Sequence, residues 1–208
     1  MQTEKRRHPT AKEYIAYVLH HGTTDFNQKG LYTGWIDVPL DDQGVVDANR
    51  AAEFLSSCQI DAVYSSPLCR AVRTAEIVVS KLGGRFITEC HCLFPWSLPS
   101  FWGESKEDYE EGLKPYVDDD SKCPKWGETL EAFRDRTADF FEDKFNKFCP
   151  TLFVTHTSNI IALSEVILGE AHGKEVVGPG GLLGIYEDGD GYGFDVLLGK
   201  EQDADYGQ

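Results

Sequence analysis

The stretch HHGTTDFNQKGLYTGWIDVPLDDQG, residues 20–44, decides the fold because it directly follows the apolar run YIAYVL of residues 14–19. A near-continuous apolar run of this length predicts a buried parallel strand. The run stops abruptly at two histidines and a glycine, and ligands of open α/β sheets bind at the carboxyl ends of strands. The sequence therefore predicts that His20, His21 and Gly22 lie at the binding edge of a sheet.

Outward from this stretch, segments with helical spacing alternate with short strand-like runs. Apolar residues recur at helical spacing in residues 42–57, 67–82, 128–148 and 159–168. Strand-like runs cover residues 61–64, 85–93 and 151–155, and two more, 182–186 and 194–198, flank a turn-rich segment that predicts a hairpin. This alternation predicts an α/β fold, a three-layer sandwich with helices on both faces of a mostly parallel central sheet.

Length and composition favour one domain. A chain of 208 residues with 41% hydrophobic content can bury one substantial core. We therefore predict a single domain over residues 1–208, with its core in residues 14–93 and 128–198. Residues 94–127 combine the aromatic-rich segment FPWSLPSFW with an acidic run, and we interpret them as an irregular insertion that caps the site.

The charge balance restricts the partners. The chain has 20 Lys and Arg against 35 Asp and Glu, a net charge of −15, which disfavours nucleic acid and anionic membranes as partners. No signal-peptide pattern and no apolar stretch of membrane-spanning length is present, so we expect a cytoplasmic protein. A phosphate site in such a chain must be a local cluster of cations and backbone N–H groups. The oligomeric state stays open.

Two histidines stand out from their positions alone. His21 and His156 each follow a strand-like run, and each adjoins small or hydroxyl residues. Hydroxyls and backbone N–H groups suit a phosphate or a carboxylate, and the helix that begins near Asn159 adds the positive end of its dipole. A pair of hydrogen-bonded structural histidines explains the same pattern, so spacing alone leaves both interpretations open.

Four ordered blocks resemble the histidine phosphatase superfamily, whose members have a phosphoglycerate mutase-like fold. The opening stretch is similar to the family pattern of Arg-His-Gly followed by an Asn, Gly-Trp-x-Asp-x-x-Leu and a Gly. DAVYSSPLCRAVRTAEIV (61–78) is similar to the family's SS-x-L-x-R-A-x-x-T-A motif. The other two blocks are WGETLEAFRDR (126–136) and TLFVTHTSNIIALSEVILG (151–169). The resemblance covers about residues 14–170.

The resemblance implies a role for each matching residue. His21 would be the nucleophile that takes a phosphoryl group on a ring nitrogen and releases it to water, with Arg70 and His156 donating to the phosphate oxygens. Gly22 would let the backbone approach closely. Metal and cofactor are not implied, and the partner would be a small phosphorylated molecule. Further phosphate or substrate contacts are implied at Asn27, Thr33 and Gly34.

The chain departs from the family pattern at three places. His20 stands where the family has an arginine, and Thr157 stands where a glycine usually follows the second histidine. His20 is then either a conditional cation that binds phosphate best in mildly acidic solution or the mark of an eroded site. Thr157 is either a further phosphate contact through its hydroxyl or a bulkier side chain that narrows the pocket. The family's general acid falls among residues 94–97, FPWS, which include no carboxylate. Glu104 is the candidate substitute, and the alternative is a solvated loop glutamate.

Three hypotheses follow. The favoured one is a phosphomonoesterase that works through a phosphohistidine on His21. The second is a catalytically degenerate phosphate-binding or scaffold protein, because general acid catalysis is worth about 10² to 10⁴ in rate and its loss would leave a feeble enzyme. A phosphoglycerate mutase is the weakest, because residues 94–127 lack the substrate motif that mutases carry there.

Overall fold

A computed structural model describes residues 12–168, 177–189 and 191–199. Its sheet has six strands in the order β3-β2-β4-β1-β5-β6. The strands are β1 (Ala16–His20), β2 (Ala62–Ser65), β3 (Ile87–Glu89), β4 (Thr151–Thr155), β5 (Leu182–Asp188) and β6 (Gly191–Leu198). The α-helices are α1 (Asp25–Gln28), α2 (Asp42–Leu55), α3 (Cys69–Lys81), α4 (Lys106–Val117), α5 (Leu130–Lys144) and α6 (Thr157–Leu168).

The strand directions match the prediction of a mostly parallel sheet. The pairs β1–β4, β2–β4 and β2–β3 are parallel, whereas β5 is antiparallel to both β1 and β6. Among the described strands, β5 is thus the one that runs against the others. The predicted hairpin is the β5–β6 pair.

Helices cover both faces of the sheet, and the pleat of β1 shows how. Tyr17 and Leu19 enter a core cluster with α2 and α3, while Ala16 and Val18 enter a second cluster with α5 and α6. Alternate strand residues point to opposite faces, and a strand buried on both faces must be apolar throughout. The predicted three-layer α/β architecture is confirmed.

The register of β1 against β4 places the two predicted histidines together. His20 lies beside Thr155 at the carboxyl ends of the two parallel strands. The next residues are His21 and His156, and the His21 backbone N–H donates to the Thr155 carbonyl at 3.0 Å. Because the strands are parallel neighbours, both histidines leave the sheet at the same edge.

The region of residues 90–127 differs from its prediction. The predicted strand 85–93 ends at Glu89, because a short 3₁₀ turn occupies His91–Leu93. The segment 94–127, predicted as irregular, contains the twelve-residue helix α4. Ser105 caps this helix by accepting the Asp108 backbone N–H at 3.2 Å. Apolar residues of α4 pack on a third cluster that includes Trp96, Leu98 and Phe133.

The predicted domain limits at residues 1 and 208 lie outside the described residues, so the single-domain assignment stays a prediction. No α-helix in the described part of the chain is both long and apolar enough to cross a membrane.

Candidate active site

The hydrogen bonds of His21 fix which ring nitrogen is nucleophilic. Its Nδ1 lies 2.7 Å from the carbonyl oxygen of Gly22. A carbonyl oxygen only accepts, so Nδ1 carries the proton and Nε2 carries the lone pair. Arg70 Nε–H donates to that lone pair at 3.2 Å. His21 is thereby oriented as a neutral ring whose reactive nitrogen faces a buried guanidinium.

The loop after His21 depends on two glycines in close contact. A Cβ on Gly22 would lie 2.3 Å from the carbonyl oxygen of Gly44, and a Cβ on Gly44 would lie 2.1 Å from the Thr23 carbonyl. No side chain fits at that separation, so the first turn of α2 packs directly on the backbone of the loop. The buried Asp47 of α2 accepts both the backbone N–H and the hydroxyl of Thr23 through one carboxylate oxygen.

Arg70 is held by the loop that precedes α2. Its two terminal nitrogens donate to the carbonyls of Gly34 and Ile36, at 2.8 and 2.9 Å. Asp37 of the same loop caps α3 by accepting the Cys69 backbone N–H at 2.7 Å. Arg70 is only 2% exposed. Three of its five N–H groups are therefore committed within the protein, and two remain to meet a phosphate.

His156 is positioned by a serine to which we had assigned no role. Its Nε2 lies 2.8 Å from the Ser66 hydroxyl, and its buried Nδ1 has no partner among the described residues. The Ser66 oxygen also accepts the Leu68 backbone N–H, so the hydroxyl proton is available to His156 Nε2. This arrangement fits a ring with its proton on Nδ1, which is the donor that a phosphate oxygen needs. The signal for Ser66 was its place in the Ser-Ser block before Arg70.

Burial dominates the electrostatics of the site. It holds the pKa of His21 well below the usual range, and His20 and Arg70 lower that pKa further. Burial also lowers the pKa of His156, with Arg70 and then His21 as the next causes. The pKa of Arg70 falls to about 10, again chiefly through burial. At neutral pH the site thus combines neutral imidazoles with a charged guanidinium.

Two departures from the family pattern contact each other. His20 Nε2 lies 2.8 Å from the hydroxyl oxygen of Thr157, and His20 Nδ1 lies 2.9 Å from the His21 carbonyl. The His20 ring is 4.4 Å from the His21 ring, centroid to centroid, and the His156 ring is 5.0 Å away from His21. His21 therefore has two histidine rings as close neighbours.

The remaining predicted residues lie farther from this cluster or serve as supports. The side-chain oxygen of Asn27 accepts from Thr24 and caps α1, and the Thr33 carbonyl accepts from Ile36. Gly34 has a φ of +52°, and a Cβ there would lie 2.2 Å from Trp102 Nε1. Glu104 is exposed and bonds to Tyr32 through its backbone. Its predicted role as the acid stays a prediction.

A carboxylate from another element does reach residues 94–97. Glu128 Oε1 accepts the Ser97 backbone N–H at 3.3 Å, and both Glu128 oxygens bind Arg136, at 2.6 and 2.8 Å. Arg136 also donates to the Phe94 carbonyl. Since Arg136 engages both oxygens, this carboxylate anchors the segment. Among the described residues, no carboxylate hydrogen-bonds to His21 or His156.

Residues 16–175 match a family model described as the histidine phosphatase superfamily (branch 1). The chain belongs to the histidine phosphatase superfamily. The match runs from the first residue of β1 past the end of α6, so it includes the strands and helices that carry His21, Arg70 and His156. Proteins similar to parts or most of this chain include a phosphoglycerate mutase and a phosphatase.

Individual relatives show how far the likeness extends. A 72-residue stretch is 44% identical to a 2,3-bisphosphoglycerate-dependent phosphoglycerate mutase of Clavibacter michiganensis subsp. michiganensis, and it covers 34% of this chain and 29% of that protein. The matched stretch is thus less than a third of the mutase.

Two solved structures are similar over most of the chain. YhfR of Bacillus stearothermophilus superposes with a TM-score of 0.72 at 24% identity, over 88% of this chain and 95% of that one. A mycobacterial glucosyl-3-phosphoglycerate phosphatase superposes with a TM-score of 0.70 at 22% identity, over 88% and 97%. At these identities the likeness shows the fold.

Proposed function

We propose that this protein is a phosphatase that hydrolyses a small phosphorylated molecule through a phosphohistidine on His21. One observation carries the proposal. His21 Nδ1 is tied to the Gly22 carbonyl, so the lone pair lies on Nε2, at a buried position where it accepts the Arg70 Nε–H at 3.2 Å in the ligand-free protein. A neutral ring with a fixed tautomer is the nucleophile that histidine-based phosphoryl transfer needs.

The surrounding groups support a two-step reaction. In the first step His21 Nε2 attacks phosphorus, the P–N bond forms, and the ester P–O bond breaks. Before this attack, Arg70 must turn its Nε–H from the His21 nitrogen to a phosphate oxygen, which frees the lone pair, and His156 donates from Nδ1 to another phosphate oxygen. In the second step water attacks phosphorus, which frees His21 and releases inorganic phosphate. Donors fixed in advance on the equatorial oxygens stabilise the charge of both transition states.

The oxygen of the leaving group either takes a proton from a general acid as the P–O bond breaks or departs as an anion. Glu104 is exposed, so its carboxylate would have to move to act as the acid. We propose that phosphate esters with acidic leaving groups, such as aryl phosphates, react fastest, because they depend least on general acid catalysis. The donors of the site suit a small phosphorylated partner, which they must bind against a net charge of −15. We also propose a cytoplasmic location.

A degenerate phosphate binder is the second candidate. The observation in its favour is that no described carboxylate hydrogen-bonds to either His21 or His156. Such a protein would bind phosphate through the same donors without turnover. The mutase hypothesis is the weakest, because the identity with the Clavibacter mutase is confined to 34% of this chain.

Hydrolysis of a generic aryl phosphate from pH 4.5 to 8 tests the proposal. We expect turnover by the wild type, loss of turnover in His21→Ala, and wild-type turnover in the control His91→Ala, whose ring is exposed on the 3₁₀ turn. Activity that is absent at every pH, or that survives in His21→Ala, contradicts a phosphohistidine phosphatase. Binding of phosphate without any turnover supports the degenerate binder instead.

A further inference from the structure

The bond between His20 and Thr157 joins two residues that are 137 positions apart and that both depart from the family pattern. His20 is 2% exposed, at the end of β1, and Thr157 is the first residue of α6. The nitrogen and the hydroxyl oxygen are 2.8 Å apart. Because both members of the pair are changed, the contact is a property of this chain and not of the family motif.

The hydrogen bonds of His20 determine which of its two ring nitrogens can gain or lose a proton. His20 Nδ1 faces the carbonyl oxygen of His21 at 2.9 Å, and a carbonyl cannot donate. Nδ1 therefore carries a proton in both charge states of His20, and Nε2 is the position that gains or loses one. The direction of the bond to Thr157 must follow that change.

In the neutral ring, Nε2 can only accept, so the Thr157 hydroxyl donates to it. The oxygen of Thr157 then presents lone pairs alone to a phosphate. In the cationic ring, Nε2–H donates to Thr157, and the hydroxyl proton is released to another acceptor. Thr157 begins α6, so no preceding turn of that helix offers a carbonyl for the released proton.

We propose that a proton on His20 turns the hydroxyl of Thr157 toward the bound phosphate, so that the pair supplies the donor and the charge that the family obtains from arginine. Thr157 is then a phosphate-binding residue, and His20 is its positioning residue. The proposal rests on the phosphate site of the proposed function. The pair borders the proposed nucleophile, because the His20 ring is 4.4 Å from the His21 ring and Thr157 directly follows His156, whose ring is 5.0 Å from His21.

The proposed change of charge at His20 depends on the bound dianion. The titratable groups that act on His21 and His156 include His20, Arg70 of α3 and Arg136 of α5. Arg70 is cationic in mild acid, and burial lowers the pKa values of His21 and His156, which disfavours a proton on either ring. Histidine is the side chain whose charge changes between pH 5 and 8, and a bound dianion favours its cationic form.

Binding of sulfate at pH 5.5 and 7.5 tests the proposal. Sulfate is a dianion at both values, so the ligand itself does not titrate. We expect tighter binding at pH 5.5 in the wild type. Thr157→Val, which keeps the branched shape, should bind roughly tenfold more weakly at pH 5.5 and change by less than about twofold at pH 7.5. Thr157→Ser keeps the hydroxyl and should retain the pH dependence.

A second variant, His20→Gln, tests the proposal independently, also in the case that Thr157→Val does not fold. Its sulfate affinity should be the same at both pH values, and adding Thr157→Val should then give one loss that is independent of pH. An equal loss at both pH values in Thr157→Val alone, or no loss at pH 5.5, overturns the proposal. So does a pH dependence of sulfate binding that persists in His20→Gln.

The outcomes separate this inference from the proposed function. Sulfate binding with the expected pattern in a protein without turnover sustains the His20–Thr157 pair and contradicts the phosphatase. Turnover through His21, together with a loss of sulfate binding in Thr157→Val that is equal at both pH values, sustains the phosphatase and contradicts the His20–Thr157 pair. A wild type that binds no sulfate at either pH overturns the inference.

Discussion

Arg70 Nε donates a hydrogen bond to His21 Nε2 at 3.2 Å, so the guanidinium of the ligand-free protein occupies the lone pair of the proposed nucleophile. The same guanidinium spans the Gly34 and Ile36 carbonyls. Arg70 thus orients the ring, joins α3 to the preceding loop, and stands ready to shift one N–H to a phosphate. Each of these tasks needs the planar fork of arginine.

Arg70→Lys should therefore lower kcat of aryl phosphate hydrolysis by about 10² to 10³, because a single ammonium cannot hold two carbonyls and meet the phosphate. Its melting temperature should also fall, since buried carbonyls lose their donors. Steady-state kinetics and thermal unfolding measure both effects. Arg73→Lys is the matched control on the same helix, because Arg73 is exposed and, among the described residues, its ion pair is with Glu76. Equal behaviour of the two variants contradicts this role.

Stability should fall as the solution becomes acidic. Burial lowers the pKa values of His21 and His156 in the folded protein, whereas histidine in an unfolded chain takes up a proton near pH 6.5. Below that pH the unfolded state binds more protons, so the free energy of unfolding decreases as pH decreases. Each such histidine should remove about 1.4 kcal/mol between pH 7.5 and 5.5.

Urea unfolding at these two pH values in the wild type and in His156→Gln checks this prediction. Between pH 7.5 and 5.5, the free energy of unfolding of the variant should fall by about 1.4 kcal/mol less than that of the wild type. In His91→Gln, at an exposed position, the free energy of unfolding should differ between the two pH values as much as it does in the wild type. A His156→Gln protein with the same pH dependence as the wild type contradicts the account of a buried neutral ring.

Ser66 should matter for catalysis through His156. Ser66→Ala removes the hydroxyl that bonds His156 Nε2, so both tautomers of the ring become available and the donor at Nδ1 is no longer fixed. We expect kcat to fall by roughly tenfold with rescue by Ser66→Thr, which restores the hydroxyl. Ser80→Ala is the control, because the Ser80 hydroxyl donates to the Ile77 carbonyl of its own helix α3. A fall in stability with unchanged kcat would assign Ser66 a structural role alone.

Restoring the residues of the family pattern, an arginine at position 20 and a glycine at position 157, should raise turnover at higher pH. In His20→Arg alone, the longer side chain meets Thr157, the present partner of His20. The double variant His20→Arg with Thr157→Gly removes that contact and supplies a permanent charge. We expect its turnover to exceed both single variants and the wild type at pH 7.5, with a smaller gain at pH 5.5. Equal gains at the two pH values contradict a charge that depends on protonation in the wild type.

Several elements could be predicted because one local signal decides them. The apolar runs that became β1 and β4 are buried on both faces and stop at His21 and His156. Helix α4 was missed because its sequence, KEDYEEGLKPYV, is polar and contains both a glycine and a proline. Packing of Tyr109, Leu113 and Tyr116 on the third core cluster stabilises it, and no local pattern predicts that contact.

In the candidate site, too, local motifs predicted some residues, whereas contacts between distant elements could not be predicted. Motif register indicated His21, Arg70 and His156, which the two strands and α3 bring into one cluster. It gave no indication that His20 and Thr157 bond each other, because their contact depends on how β1 and α6 pack. It likewise missed Ser66 as a partner of His156, since a hydrogen bond across elements leaves no periodicity in the sequence.

The most direct test of the central claim is the detection of a phosphoryl group on His21 itself. The protein would be mixed with an aryl phosphate, quenched at alkaline pH to preserve phosphohistidine, digested, and examined by mass spectrometry. We predict a phosphorylated peptide containing His21, formed during turnover and absent from His21→Ala. Turnover by the wild type with no phosphoryl group on His21, or with the group on another residue, would contradict the account.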